Sequence, residues 1–382
     1  MDATIHSSKL QHPIQKNNIE PYRVFFPLGI VLGLLGVGVW PIYALGWIEG
    51  LRSIWHIDLQ LQGFLFAFIL GFLLTALPNF SMTQHAQKSE LVFFGILFLG
   101  GNLATILSLF SLGRVAFAIN MLALVVFAAG RFRKRQSDPP PEFVFVGAGL
   151  LMGIVAAVFR ALGLVSSDLA GLDIVGRRIL AEGMVTMLVL GIGGKLVPMI
   201  WGMPGGAPLV QLGSERRFTP RHRECLVLAL LYCATFLFEY LASERHALWV
   251  RAIIATIVFI RMFRFHRRGH TAGILVAVIR ISTWLTCLAL WGSAIHPRYR
   301  VDVLHILFIG GFAMLILPIA SRVILAHGGY STEIEARSKT LAIAAILLGA
   351  SLVLRIAAFF TAEHHFRVLG AAGIAWLVGL AV

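Results

Sequence analysis

The chain has 382 residues, 58% of them hydrophobic and 13% charged, with 32 Lys+Arg against 18 Asp+Glu for a net charge of +14. A mean hydropathy of +0.84 excludes a soluble globule, about a quarter of whose residues are normally charged, and predicts an all-α, polytopic membrane protein. Cys225, Cys233 and Cys287 form no CxxC pair, so neither a disulfide framework nor a thiolate metal site is implied.

Residues 1–23 are polar and lack the apolar core of a signal peptide. They read as a cytoplasmic tail ahead of a single integral membrane domain over 24–382. Within it, apolar runs suited to crossings of about 20 residues alternate with charged or Pro/Gly-rich breaks. About twelve crossings result, at 24–47, 56–79, 91–111, 113–130, 142–163, 174–200, 224–241, 246–263, 272–292, 302–324, 340–360 and 366–382. The third and fourth are joined by a tight turn at Leu112-Gly113-Arg114. Gly29/Gly33 and Gly149/Gly153 have the spacing that lets membrane helices approach.

The second crossing reads WHIDLQLQGFLFAFILGFLLTALPNF from Trp55 to Phe80, its apolar run stopping at Pro78-Asn79. His56 and Asp58 stand at its mouth. Ionisable groups inside a span are costly and default to a functional reading, with contact to interfacial water as the competing explanation. His56, Gln60, Gly63, Ala67, Gly71 and Thr75 recur at helical spacing and make a small, polar stripe suited to the bundle interior. Asp58 and Gln62 lie on another side.

On the sixth crossing Glu182 and Lys195 are thirteen residues apart, about 20 Å along a regular helix, too far to pair. The tenth has Asp302 and His305 at its outer end and Ser321, Arg322 and His327 at its inner end. Pro78, Pro198 and Pro318 fall 120 residues apart, each preceded by a glycine at the same interval. The twelve crossings thereby divide into three blocks of four, unless proline merely marks helix ends.

Charge sets the orientation. Nineteen Lys/Arg, from Lys9 and Lys16 in the tail through Arg216, Arg217 and Arg268 to Arg337 and Lys339, share the side of the tail. Nine, Arg52, Arg114, Arg177, Arg178, Arg245, Arg251, Arg298, Arg300 and Arg367, lie opposite, which places both termini in the cytoplasm. The stretches RFRKRQ and RMFRFHRRGH lie between apolar spans and read as loops at the lipid surface, with no nucleic-acid partner implied. GIGGKL lacks the spacing of a phosphate-binding loop.

His305 and His327 are 22 residues apart, about 33 Å on a helix, and cannot share one metal. His56 and His305 both open spans that descend from the outer side, so they reach similar depth. Neutral imidazole suits haem iron and copper, and two facing histidines can clamp a planar macrocycle. Asn79, Arg322 and His327 would form an inner layer. A hydrogen bond to a neighbouring helix is the other explanation for His305, and a solvated loop position for His327.

These residues resemble the NnrS family, bacterial inner-membrane proteins of about twelve helices associated with haem, copper and the response to nitric oxide. The family pattern WHAHEMxFG followed by GFLLTAxPNW is matched by Trp55-His56, Gly63-Phe64, Gly71 to Ala76 and Pro78-Asn79-Phe80. GGRxIP resembles Gly193 to Pro198, and LHALTVGAxG ending in TRxxLGHTGR resembles Leu304-His305, Ile309-Gly310, Ser321-Arg322, Leu325 and His327-Gly328-Gly329. The family's second His, Glu and Met stand here as Asp58, Leu59 and Gln60. Asp58 is a hard oxygen ligand ill suited to copper(I), so a site needing both family histidines would be altered. The family's closing Thr-Gly-Arg is replaced as well, by Gly329-Tyr330.

The resemblance implies a haem- and/or copper-binding protein of the bacterial inner membrane that handles or responds to nitric oxide or another small molecule. His56 and His305 would ligate haem, with Arg322 available to a propionate and His327 as a further metal ligand. The layout is also similar to that of haem–copper oxidases, but the sixth and seventh crossings lack the histidines of the oxidase copper site, which argues against oxygen reduction. Whether the protein is an enzyme stays open. The alternatives are a transporter with Lys195, Arg280 and Arg355 along an anion pathway, and a non-catalytic membrane assembly protein.

Overall fold

Pro21 presets φ at the first turn of α1 (Pro21–Ala44), a position where its missing N–H costs nothing. The computed structural model describes residues 19–50, 53–203, 218–267 and 269–382. After α1 come α2 (Ser53–Ser81), α3 (Lys88–Ile106), α4 (Phe110–Arg133), α5 (Phe143–Leu162), α6 (Ser167–Ile200), α7 (Pro220–Leu241), α8 (Glu244–Phe263), α9 (Ile274–Ile295), α10 (Pro297–Gly328) and α11 (Lys339–Phe360), each long and apolar enough to cross a membrane. The shorter α12 (His365–Ala381) completes the set. No strand occurs among the described residues. Helices satisfy every backbone group internally, the condition hydrocarbon imposes. Thr219, Ser243 and Ser338 cap α7, α8 and α11 by accepting from the backbone N–H groups of His222, His246 and Leu341.

The tail through residue 18, Arg52, Arg216, Arg217 and Arg268 lie outside the described residues. Residues 21–23, predicted as the end of the tail, already belong to α1. The end of the bundle where α1 begins is called the near end here, and the opposite end the far end.

Three helices form the centre. In α2, α6 and α10, 89, 78 and 61% of the most apolar stretch is buried, against 33 to 56% in the other long helices. Phe72, Ile192 and Phe312, spaced by 120 residues, line one apolar void of about 80 Å³ among these three helices. The repeat of Pro78, Pro198 and Pro318 therefore has a spatial counterpart. The helices nevertheless run past those prolines to Ser81, Ile200 and Gly328, correcting the expectation that the second run stops at Pro78-Asn79. Pro78 and Pro198 stand in the last turn of their helices, whereas α10 continues for ten residues past Pro318.

Each central helix contains a π-helical segment, Leu59–Leu65, Ile179–Met184 and Ile306–Ala313. The small stripe of α2 packs on α1: a Cβ at Gly29 would come 2.9 Å from that of Ala67, and one at Gly33 2.8 Å from Phe64. On the periphery, α12 packs on both α1 and α11, which joins the last helix to the first.

Most helix ends fall a few residues from the predicted ones, and two of the differences have a local cause. The break between α3 and α4 falls at 107–109, where Ser108 takes a left-handed φ of 65°, and Leu112-Gly113-Arg114 lies inside α4. Gly113 is small because α3 passes close by, with a Cβ there only 2.9 Å from the Gly101 carbonyl. In addition, α6 starts at Ser167, ahead of the predicted 174. The turns ahead of residue 174 carry Asp168 and Asp173, too polar to register as membrane-spanning.

Candidate functional site

At the far end, α1, α2, α6, α10, α11 and α12 enclose a cavity of about 400 Å³. Its wall holds His56, Gln60 and Phe64 from α2, Arg177, Arg178 and Glu182 from α6, His305 and Phe308 from α10, Arg355 from α11, and Trp40 and Trp376 from α1 and α12. The volume falls within the range of about 300–1,000 Å³ common for small-molecule and cofactor sites, and the mostly apolar wall with a few convergent polar groups fits that class.

The π segments fix which side chains reach this wall. His56 and Asp58 immediately precede Leu59–Leu65, Arg177 and Arg178 precede Ile179–Met184, and Asp302 and His305 precede Ile306–Ala313. A π turn holds an extra residue and so re-aims the residues before it, and such turns recur at functional sites. Gln62, Glu182 and Asp302 repeat at intervals of 120 residues, so corresponding positions carry polar groups in all three helices.

Both histidines are oriented the same way. His56 Nδ1 lies 3.0 Å from the Gly36 carbonyl oxygen and His305 Nδ1 lies 2.8 Å from that of Val301. A carbonyl only accepts, so each Nδ1 donates, and the neutral ring keeps its lone pair on Nε2. Such anchoring is how proteins fix the tautomer of a ligating imidazole. The Trp40 ring meets His56 edge-on at 5.5 Å between centroids, and Phe308 does the same to His305 at 5.9 Å. Gln60 Nε2 donates to the Gly33 carbonyl at 2.9 Å and helps tie α2 to α1.

Asp58 faces away from the cavity. Its carboxylate pairs with Arg160 and with Arg114 at 3.4 Å, while Asp173 takes Arg114 at 3.0 Å and Arg160 at 3.2 Å. Two buried guanidiniums occupy its oxygens, and Asp58 does not line the cavity that holds His56 and His305. A second network joins α6, α7, α8 and α10. Arg300 reaches Glu182 at 2.7 Å, Glu239 at 2.7 Å and Glu244 at 2.6 Å, Arg251 pairs with Glu239, and Arg178 lies 2.5 Å from Glu239. A third pair joins Arg355 to Asp302 at 3.1 Å. Arg114, Arg251 and Arg300, counted above among loop charges, are buried inside the bundle.

The residues predicted for the inner layer stay at the near end. Asn79 Nδ2 donates to the Thr75 carbonyl at 2.7 Å. Arg322 pairs with Glu335 of the short helix Glu333–Ala336, whose carboxyl burial pushes above its ordinary value despite that cation. The His327 ring lies 6.0 Å from that of Tyr22 in the last turn of α10, and so within a helix. Lys195 lies within electrostatic reach of Glu142, and Arg280 stands over the Trp201 ring at 5.0 Å. Arg322 is 17 residues beyond His305, about 25 Å along the helix, so it does not serve a ligand of the far-end cavity. Among the described residues Arg177, Arg178 and Arg355 are the arginines there; of these the sequence points only to Arg355 as a site residue, as part of an anion pathway. Likewise His327 does not join His56 and His305. Among the described residues no three His, Cys, Asp or Glu side chains form a group that could hold a metal ion.

A family model described as NnrS protein matches residues 19–382 of the chain. No curated protein matches it.

Proposed function

Since this match over nearly the whole chain makes the protein a member of the NnrS family, we propose that it binds haem in the far-end cavity, where His56 and His305 would hold the iron, and serves in handling or sensing nitric oxide in the bacterial inner membrane. The observation that carries the reading is that two imidazoles on different helices, each with Nδ1 tied to a backbone carbonyl, line one cavity. Copper fits less well. A bare ion needs several protein donors, whereas a porphyrin brings four nitrogens of its own and asks the protein for one or two. Phe64, Phe308, Trp40 and Trp376 supply apolar faces for a flat ring, and the arginines supply cations for its carboxylates.

When bound, haem supplies a redox-active iron with affinity for diatomic gases. The protein's share is to orient two neutral rings, exclude water with aromatic walls, and hold the surrounding charges in fixed pairs. The test is the visible spectrum of protein purified after expression with haem supply. A Soret band that shifts in His56→Ala and in His305→Ala, and is lost in the double variant, is the expected result. No Soret band in the wild type, or an unchanged spectrum in the double variant, overturns the assignment.

A further inference from the structure

We propose that Arg177 binds a carboxylate of the ligand held between His56 and His305, an assignment that rests on the haem reading above. Its basis is a charge count over the three far-end networks. Arg355 meets Asp302, one cation for one anion. Arg178, Arg251 and Arg300 meet Glu182, Glu239 and Glu244, three for three. Around Asp58, however, Arg114, Arg160 and Arg177 meet Asp58 and Asp173, three cations for two anions among the described residues.

The surplus falls on Arg177. Asp173 is already shared by Arg114 at 3.0 Å and Arg160 at 3.2 Å, whereas Arg177 Nε stands 3.4 Å away. That Nε is buried and has no hydrogen-bond partner, a condition buried donors seldom tolerate. Arg177 also lines the cavity, and its side chain is 36% exposed, so its guanidinium has room to turn toward a ligand. Among the described residues of the wall, Arg178 and Arg355 are committed to carboxylates, and the one acid, Glu182, is neutralised by Arg300. A mostly apolar chamber with one uncompensated cation among the described residues suits a flat apolar molecule with an anionic edge. The guanidinium fork matches a carboxylate in particular.

Iron protoporphyrin IX and its dimethyl ester share ring and iron but differ in free carboxylates, so they separate this role from general packing. Each is titrated into detergent-solubilised protein prepared without haem, and binding is followed at the Soret band. The wild type is expected to prefer the free acid by about tenfold or more, the range of a charge-assisted hydrogen bond. Arg177→Met is expected to lose that preference while keeping its affinity for the ester, which also reports that the variant is folded. Arg177→Lys keeps charge without the fork and should retain part of the preference. Equal affinities for acid and ester in the wild type, or an undiminished preference in Arg177→Met, overturn the assignment alone. Failure of the wild type to bind either porphyrin overturns it together with the haem reading.

Discussion

Asp58 carries a charge into the bundle interior without facing the cavity, and its cost is met by two guanidiniums. Its side chain is fully buried, and those of Arg114 and Arg160 are 1% exposed. Removing one partner of such a pair leaves an uncompensated buried charge, at a cost of about 3–5 kcal/mol. Asp58→Asn is therefore expected to lower the unfolding temperature in detergent sharply. Asp302→Asn, in a pair whose side chains are 32% and 14% exposed, should cost about 1 kcal/mol or less. Comparable thermal shifts in the two variants would contradict this ranking. The same residues show what could be read from the chain. His56 and His305 were legible because a span disfavours imidazole unless it has work to do. Arg114 and Arg177 were not, because a hydropathy pattern assigns arginines to loops and says nothing of carboxylates on another helix. Asp58 looked like a lost ligand for the same reason.

At the scale of a helix, the missing information is rotational. Spacing placed His56, Gln60, Gly63 and Ala67 on one side of α2, and that side does pack on α1 through Gly29 and Gly33. The π segment Leu59–Leu65 nevertheless holds one residue more than a regular helix would, and so sets the rotation of the turns before it relative to those after it. Nothing in LQLQGFL announces a π turn, and the segment packs chiefly on α1, a partner the local sequence does not show. Deleting Leu61 gives this segment the chance to return to regular α-helix, which rotates the preceding turns by about 100°. His56 then leaves the Gly36 carbonyl and Asp58 leaves its arginines. The deletion variant is expected to show the haem spectrum of His56→Ala and a lowered unfolding temperature. A wild-type spectrum would mean that the π turn does not aim the histidine.

Over the whole molecule, helix number and the 120-residue repeat were readable because both are carried by apolar length and by proline position, which need no partner to be seen. Phe72, Ile192 and Phe312 share one axial void as that repeat requires. Orientation depends on charge, and burial changes the count used to infer it. Three of the nine far-end cations, Arg114, Arg251 and Arg300, are buried, and each pairs with acids inside the bundle, so they do not act as free loop charges. Near-end Arg133, Lys134, Arg223, Arg261 and Arg267 are exposed. The asymmetry between the two faces is thus steeper than the sequence count of nineteen to nine, and free cationic loops are those that resist export. The near end, with the carboxyl end of α12, is expected to face the cytoplasm. Cys225 and Cys287 are buried, so a Cys233→Ser background is suited to labelling with a membrane-impermeant maleimide. Ala242→Cys, exposed between α7 and α8 at the far end, should react from outside while the membrane that holds the protein is intact. Lys134→Cys, exposed at the near end, should react only after the inner membrane is permeabilised. The opposite pattern would invert the protein and put the His56–His305 cavity on the cytoplasmic side.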